Sequence, residues 1–168
     1  MLLLFIYVLF SFLIEGFMSN IFASTLTDIS YFTTIYTIIS FAVIYPYFYN
    51  YKKYYILVLV FGILFDMIYT STFLLNMIIF LIIAIVIKIL NNILSENIIM
   101  INLISIVSII LYHILSFVIL SLINYGNYDI ILLINIITHS LIMTIIYTSV
   151  SYFVIKLIFN MFNIKQIK

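Results

Sequence analysis

The sequence predicts an all-α fold: a polytopic integral membrane helix bundle of six transmembrane helices, with both termini in the cytoplasm (N-in/C-in). Three observations predict it. The first is composition. Hydrophobic residues make up 68% of the 168 and charged residues only 7%, with a mean hydropathy of +1.43. A soluble globular domain covers its surface with roughly 25% charged residues, so lipid is the expected solvent here. The second is length. Six apolar runs fall within or near the roughly 17–25 residues that a helix needs to cross a bilayer, at about 2–22, 30–49, 54–69, 72–90, 98–122 and 130–155. The third is the placing of charge. With the N-terminus inside, the inner segments hold Lys52, Lys53, Lys88, Lys156, Lys165 and Lys168, which is every Lys in the chain, while the outer loops hold Asp28 and Asp129. This obeys the positive-inside rule. A five-span arrangement would split the Lys between the two sides. The length allows one domain, residues 1–168.

Composition also excludes functions. The net charge of +1 and the lack of Arg leave no footprint for a polyanion, so nucleic acid is not an expected partner. Zero Cys removes disulfides, thiolate zinc sites and Cys nucleophiles together. Two His and scattered acids on separate spans do not make the three or four convergent ligands of a metal site. No G-x-S-x-G, H-E-x-x-H, P-loop or C-x-x-C occurs. The expectation is a non-enzymatic protein without metal or cofactor.

The first span carries Glu15, with Ser11 and Ser19 four residues to either side and so on one face. It is read as a retained span. No basic segment precedes it, and its apolar run exceeds the 7–15 residues of a signal peptide. In the second span Thr33, Thr37 and Ser40 share a face, and Pro46 bends or stops the helix. Six Tyr between positions 45 and 55 then crowd around Lys52 and Lys53, as interface anchors do.

The third and fourth spans are joined by only two or three residues, so they must lie antiparallel and adjacent. Lys88 closes the fourth and can snorkel to the headgroups. The fifth has Ser105, Ser108, Tyr112 and Ser116 at spacings of three and four, with His113 beside them. A turn around Gly126 leads into the sixth, where Ser140, Thr144, Tyr147, Thr148 and Ser151 form a second polar stripe with His139 next to its start. Such stripes read first as interhelical glue. A water-filled substrate path is the alternative.

The chain is organised around residues 62–76, GILFDMIYTSTFLLN. Asp66 sits in mid-span, where a carboxylate costs about 2.5–3.5 kcal/mol on insertion scales. It shares a face with Gly62 and Thr70, and it lies near a helix C-terminus, where the macrodipole disfavours negative charge. The expected compensation comes from backbone N–H groups that start the fourth span, around Ser71 to Phe73, because helix N-termini attract anions. The other reading is a protonated Asp66 that donates a hydrogen bond. Either way Asp66→Asn should hurt little and Asp66→Leu should disturb assembly. Gly62 allows close backbone approach. Thr70, Ser71, Thr72 and Asn76 complete the polar set of the hairpin. Glu15, His113 and His139 are the remaining structural or partner-contact candidates, the two His read as packed side chains or as parts of a proton relay.

The run GILFDMIYTSTFLLNMIIFLIIAIVIKIL resembles the family signature of MreD, the rod shape-determining membrane protein. That family typically shows a Gly, an Asp four residues on, a short Gly/Ser/Thr turn and a second hydrophobic helix. Gly62, Asp66, Ser71 and Thr72 fall on the pattern, while Thr70 and Leu74 stand where the family often has Gly. The resemblance covers about thirty residues, and elsewhere it extends only to span layout. It implies a non-enzymatic scaffold of the bacterial cell-wall elongation complex, in the cytoplasmic membrane. The implied partners are MreC, MreB, RodA and a class B penicillin-binding protein. The rival reading is the substrate-binding membrane component of an energy-coupling-factor vitamin transporter, also a six-span protein of similar size. Such a binder would carry more polar or aromatic residues in its outer loops than this chain does.

Overall fold

A computed structural model describes residues 2–22, 34–48, 50–70, 74–94, 97–123 and 129–161. Its regular structure is helical throughout: α1 (Leu2–Ile21), α2 (Tyr36–Ile44) with a 3-10 turn at Tyr45–Tyr47, α3 (Tyr51–Ile68), α4 (Leu75–Ile93), α5 (Ile98–Leu122) and α6 (Ile130–Met161). Four of these, α1, α4, α5 and α6, are long and apolar enough to cross a membrane. The 18 residues of α3 match them in length but include Lys52, Lys53 and Asp66. Large apolar side chains stand exposed around the outside, among them Phe10, Phe17, Ile85, Ile89, Ile142 and Phe153. Soluble monomers rarely present apolar surface on that scale.

The second expected span departs most from expectation. Thr34 and Ile35 precede the helix, which begins only at Tyr36 and runs nine residues. At 1.5 Å per residue that is about 14 Å, half of the hydrocarbon thickness. Pro46 lies in the 3-10 turn that closes it. Every residue of α2 is buried, and it packs against α1, α4, α5 and α6. A helix that is apolar all round can be buried all round, so α2 is the axis of the bundle. Other boundaries move less. The third helix starts at Tyr51 instead of 54, which puts Lys52 and Lys53 in its first turn; Asn50 caps it, its side chain accepting from the Lys52 N–H at 2.9 Å. The fourth runs 75–93 instead of 72–90, and the sixth continues to Met161.

Aromatic rings fill the space around α2. Phe80 of α4 meets Phe41 of α2, Phe65 of α3 and Tyr112 of α5 at centroid distances of 5.7, 5.2 and 6.1 Å. Phe12 of α1 packs on Phe61 and Tyr69 of α3 at 5.7 and 4.7 Å. At one end of the bundle the Lys88 ammonium lies 5.1 Å over the Tyr51 ring, Tyr51 stacks on Tyr45, and Tyr47 packs on Phe159, within a turn of Lys156. The described Lys therefore gather at a single end.

Two glycines set helix separations. A Cβ on Gly62 would lie 2.7 Å from the Met77 Cα, so α3 and α4 touch backbone to backbone there. A Cβ on Gly16 would lie 2.5 Å from the Tyr69 hydroxyl, which instead reaches past it to donate to the Phe12 carbonyl at 2.7 Å. Entry into α4 is through Leu74, whose φ of 59° is left-handed. That conformation costs a bulky L-residue about 1–2 kcal/mol and suits Gly.

Two substitutions test this hairpin. Gly62→Ala should lower stability by about 1–3 kcal/mol, the usual cost of overpacking, because backbone opposes the new methyl. Leu74→Val should also destabilise, because β-branching crowds a left-handed backbone further, whereas Leu74→Gly should not. Thermal unfolding of the detergent-solubilised protein reads both.

Candidate functional site

Asp66 is placed by the last full turn of α3, facing the start of α4. Its carboxylate is 6% exposed. Oδ1 accepts from the Asn76 backbone N–H at 3.1 Å, from the Asn76 side-chain amide at 2.9 Å and from the Thr70 hydroxyl at 3.2 Å. Oδ2 accepts from the Met77 N–H at 3.1 Å. Asn76 and Met77 are the second and third residues of α4, whose first amides have no carbonyl partner within the helix. A helix is normally capped by a polar side chain just before it, but Leu74 occupies that position and cannot do so. An acid from the preceding helix caps α4 instead.

Amides at the start of the fourth span are the anticipated kind of donor, and among the described residues those of Asn76 and Met77 serve. The stretch expected to supply them, Ser71 to Phe73, and with it Ser71 and Thr72, falls outside the described residues. The four groups named above all donate to the Asp66 carboxyl oxygens. Gly62 belongs to the same device, since the contact it permits brings Met77 within reach of Asp66 one turn later.

Asn76, 2% exposed, carries the clamp onward. Its amide nitrogen donates to Asp66, and its Oδ1 accepts from the Tyr112 hydroxyl of α5 at 2.8 Å. The chain Thr70–Asp66–Asn76–Tyr112 thus joins α3, α4 and α5. The sequence reading put Tyr112 in a packing stripe with no partner; only the fold brings it to Asn76.

Glu15 repeats the arrangement. It comes from the C-terminal half of α1 and is 8% exposed. Its Oε2 accepts from the Thr37 hydroxyl at 2.6 Å and the Thr37 N–H at 3.2 Å. Thr37 is the second residue of α2, and the residue before that helix is Ile35, which offers no cap. Tyr69 holds the two acids at one depth: it lies three residues past Asp66 and binds the carbonyl of Phe12, three residues before Glu15. Ser19 does not join Glu15 inside the bundle. It is exposed and donates to the Gly16 carbonyl.

The polar stripes face inward. Thr37, Ser40, Ser105, Ser108, Ser140, Thr144, Thr148 and Ser151 are all buried, and Thr33 lies outside the described residues. Many of their hydroxyls bond carbonyls of their own helix, as with Ser108 to Ile104 and Thr148 to Thr144. Others cross between helices: Thr34 to Thr144 at 2.8 Å, Tyr147 to Ser11 at 2.9 Å and Asn102 to Ser149 at 3.2 Å. The His113 ring contacts that of Tyr112, and its Nε2 makes no hydrogen bond among the described residues. His139 is half-buried on α6. Among the described residues no three His, Asp or Glu side chains converge as metal ligands would.

No family model matches the chain, and neither does any curated protein or solved structure.

Substitutions separate the roles within the clamp. Asp66→Leu strands the Asn76 and Met77 amides, each at about 1–3 kcal/mol, and should abolish accumulation of folded protein. Asp66→Asn keeps one acceptor oxygen but can turn an NH2 group toward a donor, so it should cost about 1–2 kcal/mol, more than the sequence alone suggests. Tyr112→Phe should cost about 1 kcal/mol or slightly more. Midpoints of thermal unfolding should rank wild type, Tyr112→Phe, Asp66→Asn and Asp66→Leu in falling order.

Proposed function

We propose that this chain is a non-enzymatic membrane scaffold of the bacterial cell-wall elongation complex, a member of the MreD family that maintains cell shape. In this reading it crosses the cytoplasmic membrane six times with both ends inside. Its partners are MreC, MreB, RodA and a class B penicillin-binding protein. The observation that carries the reading is the meeting of three signature positions at one junction. Gly62 sets the approach of α3 and α4, Asp66 caps α4, and position 74, where the family often has Gly, is left-handed. A glycine is what that backbone favours, so the junction's geometry is compatible with the pattern even where the residue departs from it.

The membrane layout has its own support. The described Lys lie at one end of the bundle, around Tyr45, Tyr51 and Phe159, and Asp129 begins α6 far from them along the chain. That arrangement follows the positive-inside rule. The length of α6, 32 residues or about 48 Å, exceeds the hydrocarbon thickness and requires tilt or extension past the headgroups. At nine residues, or about 14 Å, the short α2 covers only part of that thickness.

Depletion of the protein in its host should convert rods to spheres; unchanged rods would reject the assignment. Gene neighbourhood is a second discriminator. Genes for MreB and MreC beside this one support the scaffold, and vitamin-transport genes support the binder. Cysteines placed at Lys52 and Lys165 should be labelled from the same, cytoplasmic side by an impermeant reagent.

A further inference from the structure

Lys52 and Lys53 stand where a helix least favours them. They occupy the first turn of α3, which holds no acid, and cations are favoured at helix C-termini, not N-termini. Both are exposed. A third cation joins them. The Lys88 ammonium of α4 lies 5.1 Å from the centroid of the Tyr51 ring, and Tyr51 is the first residue of α3. The amides of this helix end are already used. The Asn50 side chain accepts from the Lys52 N–H at 2.9 Å, and its carbonyl accepts from those of Lys53 and Tyr54. What remains is positive charge, and the described acids do not answer it. Glu15, Asp66 and Asp129 belong to the other end of the bundle, and Glu96 falls outside the described residues.

Neutral donors gather at the same corner. Tyr45 stacks on Tyr51 with ring centroids 5.9 Å apart. It is buried, and its hydroxyl, beside those of Tyr51 and Tyr55, forms no aligned hydrogen bond. Three ammonium groups and a phenol match an acceptor that carries negative charge. At the depth where Tyr and Lys anchors lie, a membrane supplies one in the headgroup phosphate. A zwitterionic headgroup brings that phosphate with an ammonium of its own and so adds a cation. An anionic headgroup brings net negative charge, which attracts Lys next to the membrane surface.

We propose that the corner between the start of α3 and the last turns of α4, marked by Lys52, Lys53 and Lys88, binds the phosphate of an anionic phospholipid headgroup. That lipid offsets the three cations and the positive pole of α3 together. The inference needs a bilayer around the chain and nothing from the wall-elongation reading. It also goes beyond the one-sided placing of Lys, which requires only that cations share a side of the membrane. Lys156 shares that end of the bundle, but its ammonium lies over Tyr152 of its own helix, and the main neighbour of α3 is α4.

The test puts the full-length protein in nanodiscs made from equal amounts of phosphatidylcholine and phosphatidylglycerol with the same acyl chains. Native mass spectrometry then counts the lipids that stay bound. The wild type should retain phosphatidylglycerol in preference. Lys88→Gln should cut that preference by about fivefold, and Lys52→Gln combined with Lys53→Gln by about 25-fold, as expected for each Lys near an anionic surface. Lys88→Arg keeps the charge and should keep the preference. Lys156→Gln, at the same end of the bundle, should leave it unchanged. All of these variants should melt at the wild-type temperature in phosphatidylcholine alone, which separates lipid binding from folding. Equal retention of the two lipids by the wild type would overturn the proposal, as would a preference that survives loss of Lys52, Lys53 and Lys88. An equal drop in Lys156→Gln would overturn it too, because the preference would then belong to the charge of the whole end. So would inorganic phosphate that raises the melting temperature in a neutral detergent as much as phosphatidylglycerol does, since the site would then be one for free phosphate. Cell shape on depletion enters none of these readouts, so this proposal and the scaffold reading can fail separately.

Discussion

A helix that begins inside a membrane has a problem that a helix in water does not. Its first amides point away from any intrahelical acceptor, and no solvent is present to receive them. Much of this structure follows from how that problem is met twice. Asp66 of α3 accepts from the start of α4, and Glu15 of α1 accepts from the start of α2. In both cases the residue before the capped helix, Leu74 or Ile35, is apolar and contributes nothing. The acid is expensive to bury and the bare helix end is expensive to bury. Together they offset one another, since an anion is favoured at the positive end of a helix dipole.

The clamps also determine packing. Asp66 reaches Met77 only because Gly62 lets the two backbones touch, and the left-handed Leu74 turns the chain so that Asn76 faces back toward α3. Asn76 then hands the connection to Tyr112 on α5. On the other side, Glu15 fixes the head of α2, and α2 is the element that most other helices share as a neighbour. Tyr69 links the two halves through the Phe12 carbonyl, in the space that Gly16 leaves. Aromatic rings centred on Phe80 fill what remains. The bundle is thus held by a few directional bonds in a medium where apolar contact alone gives little preference for one helix partner over another.

Some of this was legible from the residues. The ends of α5, Ile98 and Leu122, can be read from the residues, because a long uniform apolar run with polar flanks has few alternatives. The cost of Asp66, its face shared with Gly62 and Thr70, and its need for amides of the next helix follow from spacing and helix electrostatics alone. That Asn76 and Met77 supply such amides does not, since it depends on how α4 begins, and the left-handed Leu74 at its head carries no glycine signal. The half-length α2 was hidden for a different reason. Hydropathy measures how apolar a stretch is and cannot tell lipid from protein as the apolar surroundings, so a buried half-helix reads as a span. Only Pro46 marked its end. Glu15 stands out as an acid in an apolar run, but its partner Thr37 is 22 residues away on another helix, a pairing that no helical periodicity reveals. Gly16 carries no signal without Tyr69 beside it.

Amide hydrogen exchange tests the capping account most directly. The amides of Asn76 and Met77 in α4 and of Thr37 in α2 should be protected in the detergent- or nanodisc-embedded protein, unlike the amides in the first turn of α5, to which the N-cap residue Asn97 makes no side-chain cap bond. Removing Glu15 should expose Thr37 and leave Asn76 and Met77 protected, and removing the Asp66 carboxylate should do the converse. First-turn amides that exchange equally fast in all three helices, or whose protection is indifferent to these acids, would contradict the claim that acids of neighbouring helices hold α2 and α4 in place.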